Sequence, residues 1–151
     1  MSGVRVLGLD VGDRRIGIAV SDPLGMTAQR LTVLVRQSLR KDLETIAALA
    51  TDYQVCAIVI GLPLTLQGAQ GPQANKVVAF AEALRGRLAM PVELLDERLT
   101  TVQGQRALLA VGVAGKQRKQ LVDQVAAQLI LQQFLEMQRM RREREAHETS
   151  T

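Results

Sequence analysis

Three acidic positions stand where an ionised side chain is costly. Asp10 closes an apolar run between Leu9 and Val11, Asp96 and Glu97 close another, and Asp123 lies between Val122 and Val125-Ala126-Ala127. Carboxylates among aliphatic neighbours must be paired, hydrogen-bonded or bound to a cation. If they converge, their repulsion resists ionisation. Mg²⁺ or Mn²⁺ relieves it, because hard cations prefer carboxylate oxygens. Two such ions about 4 Å apart activate a water and stabilise the leaving oxygen in phosphodiester cleavage. That chemistry needs no histidine base. The single histidine, His147, stands in the charged C-terminal segment, which argues against a histidine ribonuclease or a Ser-His-Asp hydrolase. Taken singly, each acidic site has a plainer reading. Asp10 could begin a turn, Asp96-Glu97-Arg98 could be a surface ion-pair cluster, and Asp123 could favour the positive end of a helix. The metal reading rests on the three occurring together.

Cations surround these positions in the sequence. Arg14 and Arg15 follow Asp10, Arg98 follows Glu97, and Lys116, Arg118 and Lys119 precede Asp123. Such residues would ring an acidic centre with phosphate-binding groups, although charged loops are ordinary. Lys and Arg exceed Asp and Glu by 19 − 15 = 4 over 151 residues, and the pI is about 9.8. This balance suits a polyanionic partner. Aromatic residues are 2% of the chain, with no Trp, so stacking of unpaired bases on aromatic rings is disfavoured. The one cysteine, Cys56, sits in an apolar run and reads as a reduced core residue. A disulfide framework or thiolate zinc site within one chain is excluded. The opening Val4–Asp10 segment carries no signal-peptide pattern. No apolar stretch reaches the ~18 residues that span a bilayer, so the expectation is a cytoplasmic protein away from membranes.

The elements that must position these residues follow from periodicity. Strands are expected over 4–10, 15–20 and 27–35, joined by Gly12-Asp13 and Pro23–Gly25 turns, as an antiparallel meander. Apolar spacing from Ser38 to Tyr53 predicts an amphipathic helix with Ser38 as N-cap. The continuous apolar run 55–60 predicts a strand buried on both faces in a parallel region. A loop from Leu62 to Pro72 leads to a helix over 73–88, a strand over 91–97 and a helix over about 100–111. After a glycine-containing basic segment, Gly112–Lys119, the last helix is expected from near Gln120 to about Arg142. Residues 1–138 read as one domain, and 139–151 as a charged tail that frays. The architecture is α/β: a mixed five-stranded sheet, three antiparallel strands then parallel additions, flanked by helices. The strand 55–60 should lie beside the first, with 91–97 next to it. The last helix should cross that face and bring Asp123 to the same end, with Ala126 and Ala127 allowing close approach. Gly8-Leu9-Asp10-Val11-Gly12 lacks the dinucleotide fingerprint, and Gly115-Lys116 lacks the flanking residues of a Walker loop.

Four ordered blocks resemble one family. Gly8-Leu9-Asp10-Val11-Gly12-Asp13-Arg14-Arg15-Ile16-Gly17 with Ser21-Asp22 is similar to the opening motif of the RuvX/YqgF family. So are Ile60-Gly61-Leu62-Pro63-Leu64 with Gly71-Pro72-Gln73-Ala74, and Asp96-Glu97-Arg98-Leu99-Thr100-Thr101. The fourth block is Lys116–Lys119 with Val122-Asp123 and Ala126–Gln132. The resemblance implies a ribonuclease-H-like nuclease, either a Holliday junction resolvase or an enzyme maturing the 5′ end of small-subunit ribosomal RNA precursor. It implies Asp10, Glu97 and Asp123 as metal-binding catalytic carboxylates, with two Mg²⁺ or Mn²⁺ ions and 5′-phosphate and 3′-hydroxyl products. Thr100 joins Arg14, Arg15, Arg98, Lys116, Arg118 and Lys119 as expected nucleic-acid contacts. Symmetric cutting of a junction is compatible with a homodimer. Two departures are visible: Thr65-Leu66-Gln67 replaces the family's usual Asn-x-Asp, and Arg30 stands where proline is common. Two other readings stay open, a non-catalytic nucleic-acid-binding module of the same fold and an actin-like ATPase.

Overall fold

The computed structural model describes residues 4–112 and 115–150. Three strands, β1 (Val6–Val11), β2 (Arg15–Ser21) and β3 (Ala28–Val35), are followed by helix α1 (Leu39–Asp52). Then come β4 (Ala57–Leu62), α2 (Pro72–Arg87), β5 (Val92–Asp96), a 3₁₀ turn at Glu97–Leu99, α3 (Val102–Gly112) and α4 (Gly115–Ser150). The five strands form one sheet in the order β3-β2-β1-β4-β5. β1 pairs antiparallel with β2, and β2 with β3, while β4 is parallel to both β1 and β5. This is the mixed sheet that the apolar patterning predicts. Ser38 caps α1, its Oγ accepting from the Lys41 N–H at 3.2 Å. Pro72 opens α2, where its missing N–H costs nothing.

The two faces of the sheet are filled differently. Because strand side chains alternate, Leu7, Leu9, Ile16, Ile18, Ile58 and Ile60 point to one face and pack with α1 and α2 around Phe80 and Leu84. The other face receives α4 through Ala126, Ala127, Ile130 and Leu131. There Val6, Ala19, Val59 and Leu95 of the strands are interleaved with glycines. A Cβ on Gly8 would stand 2.7 Å from the Leu131 Cβ, and one on Gly61 would collide with the Ile130 side chain. At Gly17 a Cβ would meet the Asp123 carbonyl oxygen. Glycine on the strands and alanine on the helix together let α4 lie almost on the backbone of the sheet.

Four expectations are corrected. The fifth strand stops at Asp96, and Glu97 starts the 3₁₀ turn. Helix α4 begins at Gly115, earlier than Gln120, since Lys116–Gln120 contains only good helix formers. Helix α4 also runs on to Ser150, past the end expected near Arg142. Its opposite charges stand four apart (Arg139 and Glu143, Arg141 and Glu145, Arg144 and Glu148), a spacing that supports helix. Cys56 is exposed rather than in the core. It precedes β4, and its N–H donates to the Arg5 carbonyl at 2.8 Å. Among the described residues no helix is long and apolar enough to cross a membrane.

Candidate active site

Parallel pairing decides where the carboxylates go. β1, β4 and β5 run in one direction, so their C-terminal ends share an edge of the sheet. Asp10 is the penultimate residue of β1, and Glu97 follows β5 directly. The 3₁₀ turn aims Glu97 inward. Asp96 accepts from the Arg98 N–H at 2.9 Å. The Thr100 N–H and hydroxyl both donate to the Glu97 carbonyl, at 3.0 and 2.7 Å. Gly61 on the intervening strand makes the space: a Cβ there would lie 2.9 Å from Glu97 Oε2. Asp10 and Glu97 are both buried, at 8% and 3% exposure.

One guanidinium joins them. Arg106 of α3 donates from Nη2 to Asp10 Oδ1 at 2.7 Å and from Nη1 to Glu97 Oε1 at 3.2 Å. Asp123 arrives from α4, whose backbone at that residue lies against Gly17, the register partner of Asp10. Its Oδ2 accepts from Arg15 Nε at 2.7 Å. The three carboxylates are thus held by two guanidinium groups, Asp10 and Glu97 on Arg106, and Asp123 on Arg15. In this arrangement no three Asp, Glu, His or Cys side chains among the described residues are grouped closely enough to hold a metal ion.

Burial raises the Asp10 carboxyl above its ordinary 3.8, opposed by the charge and hydrogen bond of Arg106 and reinforced by the charge of Asp123. Burial likewise raises Glu97 above 4.5, opposed by the charge of Arg106 and reinforced by that of Asp10. The donor chemistry fits a hard divalent cation: two desolvated carboxylates face a single monovalent partner, with a third carboxylate near enough to be felt. The same shifts set a pH dependence. In metal-free protein the folded state binds these protons more tightly than the unfolded chain. Stability from them is therefore fully present below the ordinary carboxylate values and is lost as pH rises through the raised ones. Thermal melts of wild type and Glu97→Gln, compared from pH 4 upward in chelator, are expected to converge or cross as the wild type loses stability relative to the variant. A constant difference across that range would contradict the shift.

The structure disposes the expected phosphate contacts unevenly. Arg14 is exposed on the turn after β1, and Lys119 is exposed on α4. Arg15 is committed to Asp123. Arg98 is exposed but grips Asp96 through Nε and Nη2, at 2.7 to 3.1 Å. It also donates to the Leu66 carbonyl at 3.3 Å. Its guanidinium packs on Gly68, which has φ +86°, in a turn closed by Gly68 N–H to the Thr65 carbonyl at 2.8 Å. The altered Thr65-Leu66-Gln67 segment is thereby a tight turn tied to the active-site edge. Thr100 is half-buried and spends its hydroxyl on Glu97. The side chains of Lys116 and Arg118 lie outside the described residues. Sequence reasoning missed Arg106, and it quoted Gly17 and Gly61 as motif residues without the close approach they allow. A long-range pair spanning 96 residues leaves no local signal, although glycine inside a strand can mark close backbone approach.

The chain is similar to known proteins over most of its length. Residues 4–137 match the family model of RuvX, described as Holliday junction resolvase. A protein of Clostridium novyi (strain NT) is 47% identical over 133 residues, covering 88% of this chain and 98% of its own. One from Halothermothrix orenii is 46% identical over 135 residues, covering 89% and 96%. Both carry the name "Putative pre-16S rRNA nuclease". Among solved structures, T. thermophilus RuvC in complex with Holliday junction substrate aligns with TM-score 0.57 at 14% identity, covering 89% of this chain and 96% of that one. The fowlpox virus Holliday junction resolvase aligns with TM-score 0.51 at 13% identity, covering 88% and 99%. These likenesses show a ribonuclease-H-like fold. With its family model matched over residues 4–137, and with relatives nearly half identical across almost their whole length, the chain belongs to the RuvX family.

Proposed function

We propose that this protein is a divalent-metal-dependent endonuclease acting on structured nucleic acid, either four-way junction DNA or the 5′ end of precursor small-subunit rRNA. The observation that carries the reading is the pair of buried carboxylates, Asp10 and Glu97, at the C-terminal edge of the sheet, with the charge of Asp123 near enough to act on Asp10. The family, the names of its relatives and the fold shared with junction resolvases support it. Asp10 and Glu97 would hold Mg²⁺ or Mn²⁺, two ions in all, with Asp123 completing the ligand set. When bound, the cations supply an activated water and neutralise charge on the phosphate. The chain's own residues do the rest. Arg15 orients Asp123. Arg14, Arg98 and Lys119, with Lys116 and Arg118, meet the backbone phosphates. Recognition is by backbone and shape, because the chain has few aromatic rings to stack on bases. Products carry 5′-phosphate and 3′-hydroxyl ends. The protein works in the cytoplasm, and on a two-fold symmetric junction it acts as a homodimer.

The test offers purified protein a four-way junction and a precursor rRNA 5′-end fragment, each in Mg²⁺ and in Mn²⁺, beside linear duplex. Cleavage of at least one structured substrate is expected, with linear duplex spared and chelator abolishing the products. Tight junction binding with no cleavage in either metal would instead support a non-catalytic module.

A further inference from the structure

Arg106 is the basic residue of the site that the phosphate-binding reading leaves unused. Its guanidinium lies between Asp10 and Glu97, bonded to a different carboxylate through each terminal nitrogen. It is neither locked away nor free, with about a third of its side chain exposed at 35%. It is delivered by α3, a helix that packs mainly on α4 rather than on the sheet. Arginine remains protonated at any working pH, so it can vacate this position only by moving, never by losing its charge. A divalent ion seated on the same two carboxylates would face that charge at contact distance.

We propose that Arg106 is the resident cation of the carboxylate site: its guanidinium holds Asp10 and Glu97 in the metal-free protein, and a divalent ion enters by displacing it. The proposal rests on the metal-dependent reading above. Displacement leaves a planar five-donor group at the mouth of the site, suited to bidentate contact with a phosphate. Because part of the population is always blocked, the apparent metal affinity is lowered by the fraction that is open. Arg106 is a positioning residue by this account, and its removal should strengthen metal binding rather than weaken it.

Mn²⁺ binding to wild type, Arg106→Gln and Arg106→Lys, measured by calorimetry and by the EPR signal of free Mn²⁺, tests this without nucleic acid. Arg106→Gln is expected to bind at least ~10-fold tighter, as for a site open about a tenth of the time in wild type. Arg106→Lys should fall between the two, since a narrower cation blocks less completely. In ¹⁵N-labelled wild type, Mg²⁺ should shift the Arg106 side-chain resonances toward those of a solvent-exposed arginine, a readout that needs no variant to fold. Unchanged Mn²⁺ affinity in the variants and an unmoved Arg106 signal in the metal-bound wild type would make Arg106 a permanent counter-ion and overturn the inference alone. Wild type that binds no Mn²⁺ would overturn the metal-dependent reading and this inference with it.

Discussion

Asp10→Asn is expected to lower the cleavage rate at least ~10²-fold, because several kcal/mol of metal activation depend on the missing charge. The substitution keeps the side chain's shape. The amide oxygen can still accept from Arg106, and Glu97 retains its charge. Burial already disfavours the ionised form of Asp10, so a neutral isostere relieves that desolvation. The variant should therefore melt within about 1 kcal/mol of wild type, the scale of a single hydrogen bond. Single-turnover cleavage and thermal unfolding, measured on the same preparations, separate the two effects. Equal rates in the two proteins would point to a contaminating nuclease or to chemistry elsewhere on the molecule.

Gly17→Ala should damage both the fold and the site. The added Cβ would collide with the Asp123 carbonyl oxygen and stand 2.5 Å from its carbonyl carbon. Backbone atoms cannot rotate away as a flexible side chain can, so β2 and α4 must separate. Overpacking of this kind costs about 3 kcal/mol or more. The same displacement carries Asp123 away from Asp10, and a shift near 1 Å at reacting groups can cost ~10²-fold in rate. Gly86→Ala is the matched control: it lies in α2 with nothing within 4 Å of the new Cβ, and it should stabilise the helix by up to about 1 kcal/mol. Denaturant melts of the two variants would show opposite signs. A Gly17→Ala protein as stable and active as wild type would mean that α4 does not sit on β2 as described.

Much of this arrangement is legible in the sequence. The continuous apolar run 55–60 marks a strand in a parallel region, and the runs ending in Asp10 and in Asp96-Glu97 mark the strands placed on either side of it. The sheet order then followed from short connections and one change of periodicity. Ala126 and Ala127 signalled a helix that approaches closely. What escaped was tertiary. Arg106 sits between Gln105 and Ala107 with nothing to distinguish it from a solvated helix residue, and only the folded chain brings it to Asp10. Cys56 reads as core by its neighbours, yet it falls just before β4, at the N-terminal end of an inner strand, and is exposed there. Residues 139–150 look like a loose tail by charge alone, but oppositely charged residues four apart favour continuing the helix.

The unequal faces of the sheet imply unequal freedom for this protein to diverge. Where α1 and α2 meet Leu7, Ile18 and Ile58, a larger residue on one partner can be matched by a smaller one on the other, as in any aliphatic interior. Beneath α4 there is nothing left to shrink at Gly8, Gly17 or Gly61, and compensation would require the helix axis itself to move. Descendants of this chain should therefore vary widely in how α1 and α2 are filled while keeping the seat of α4.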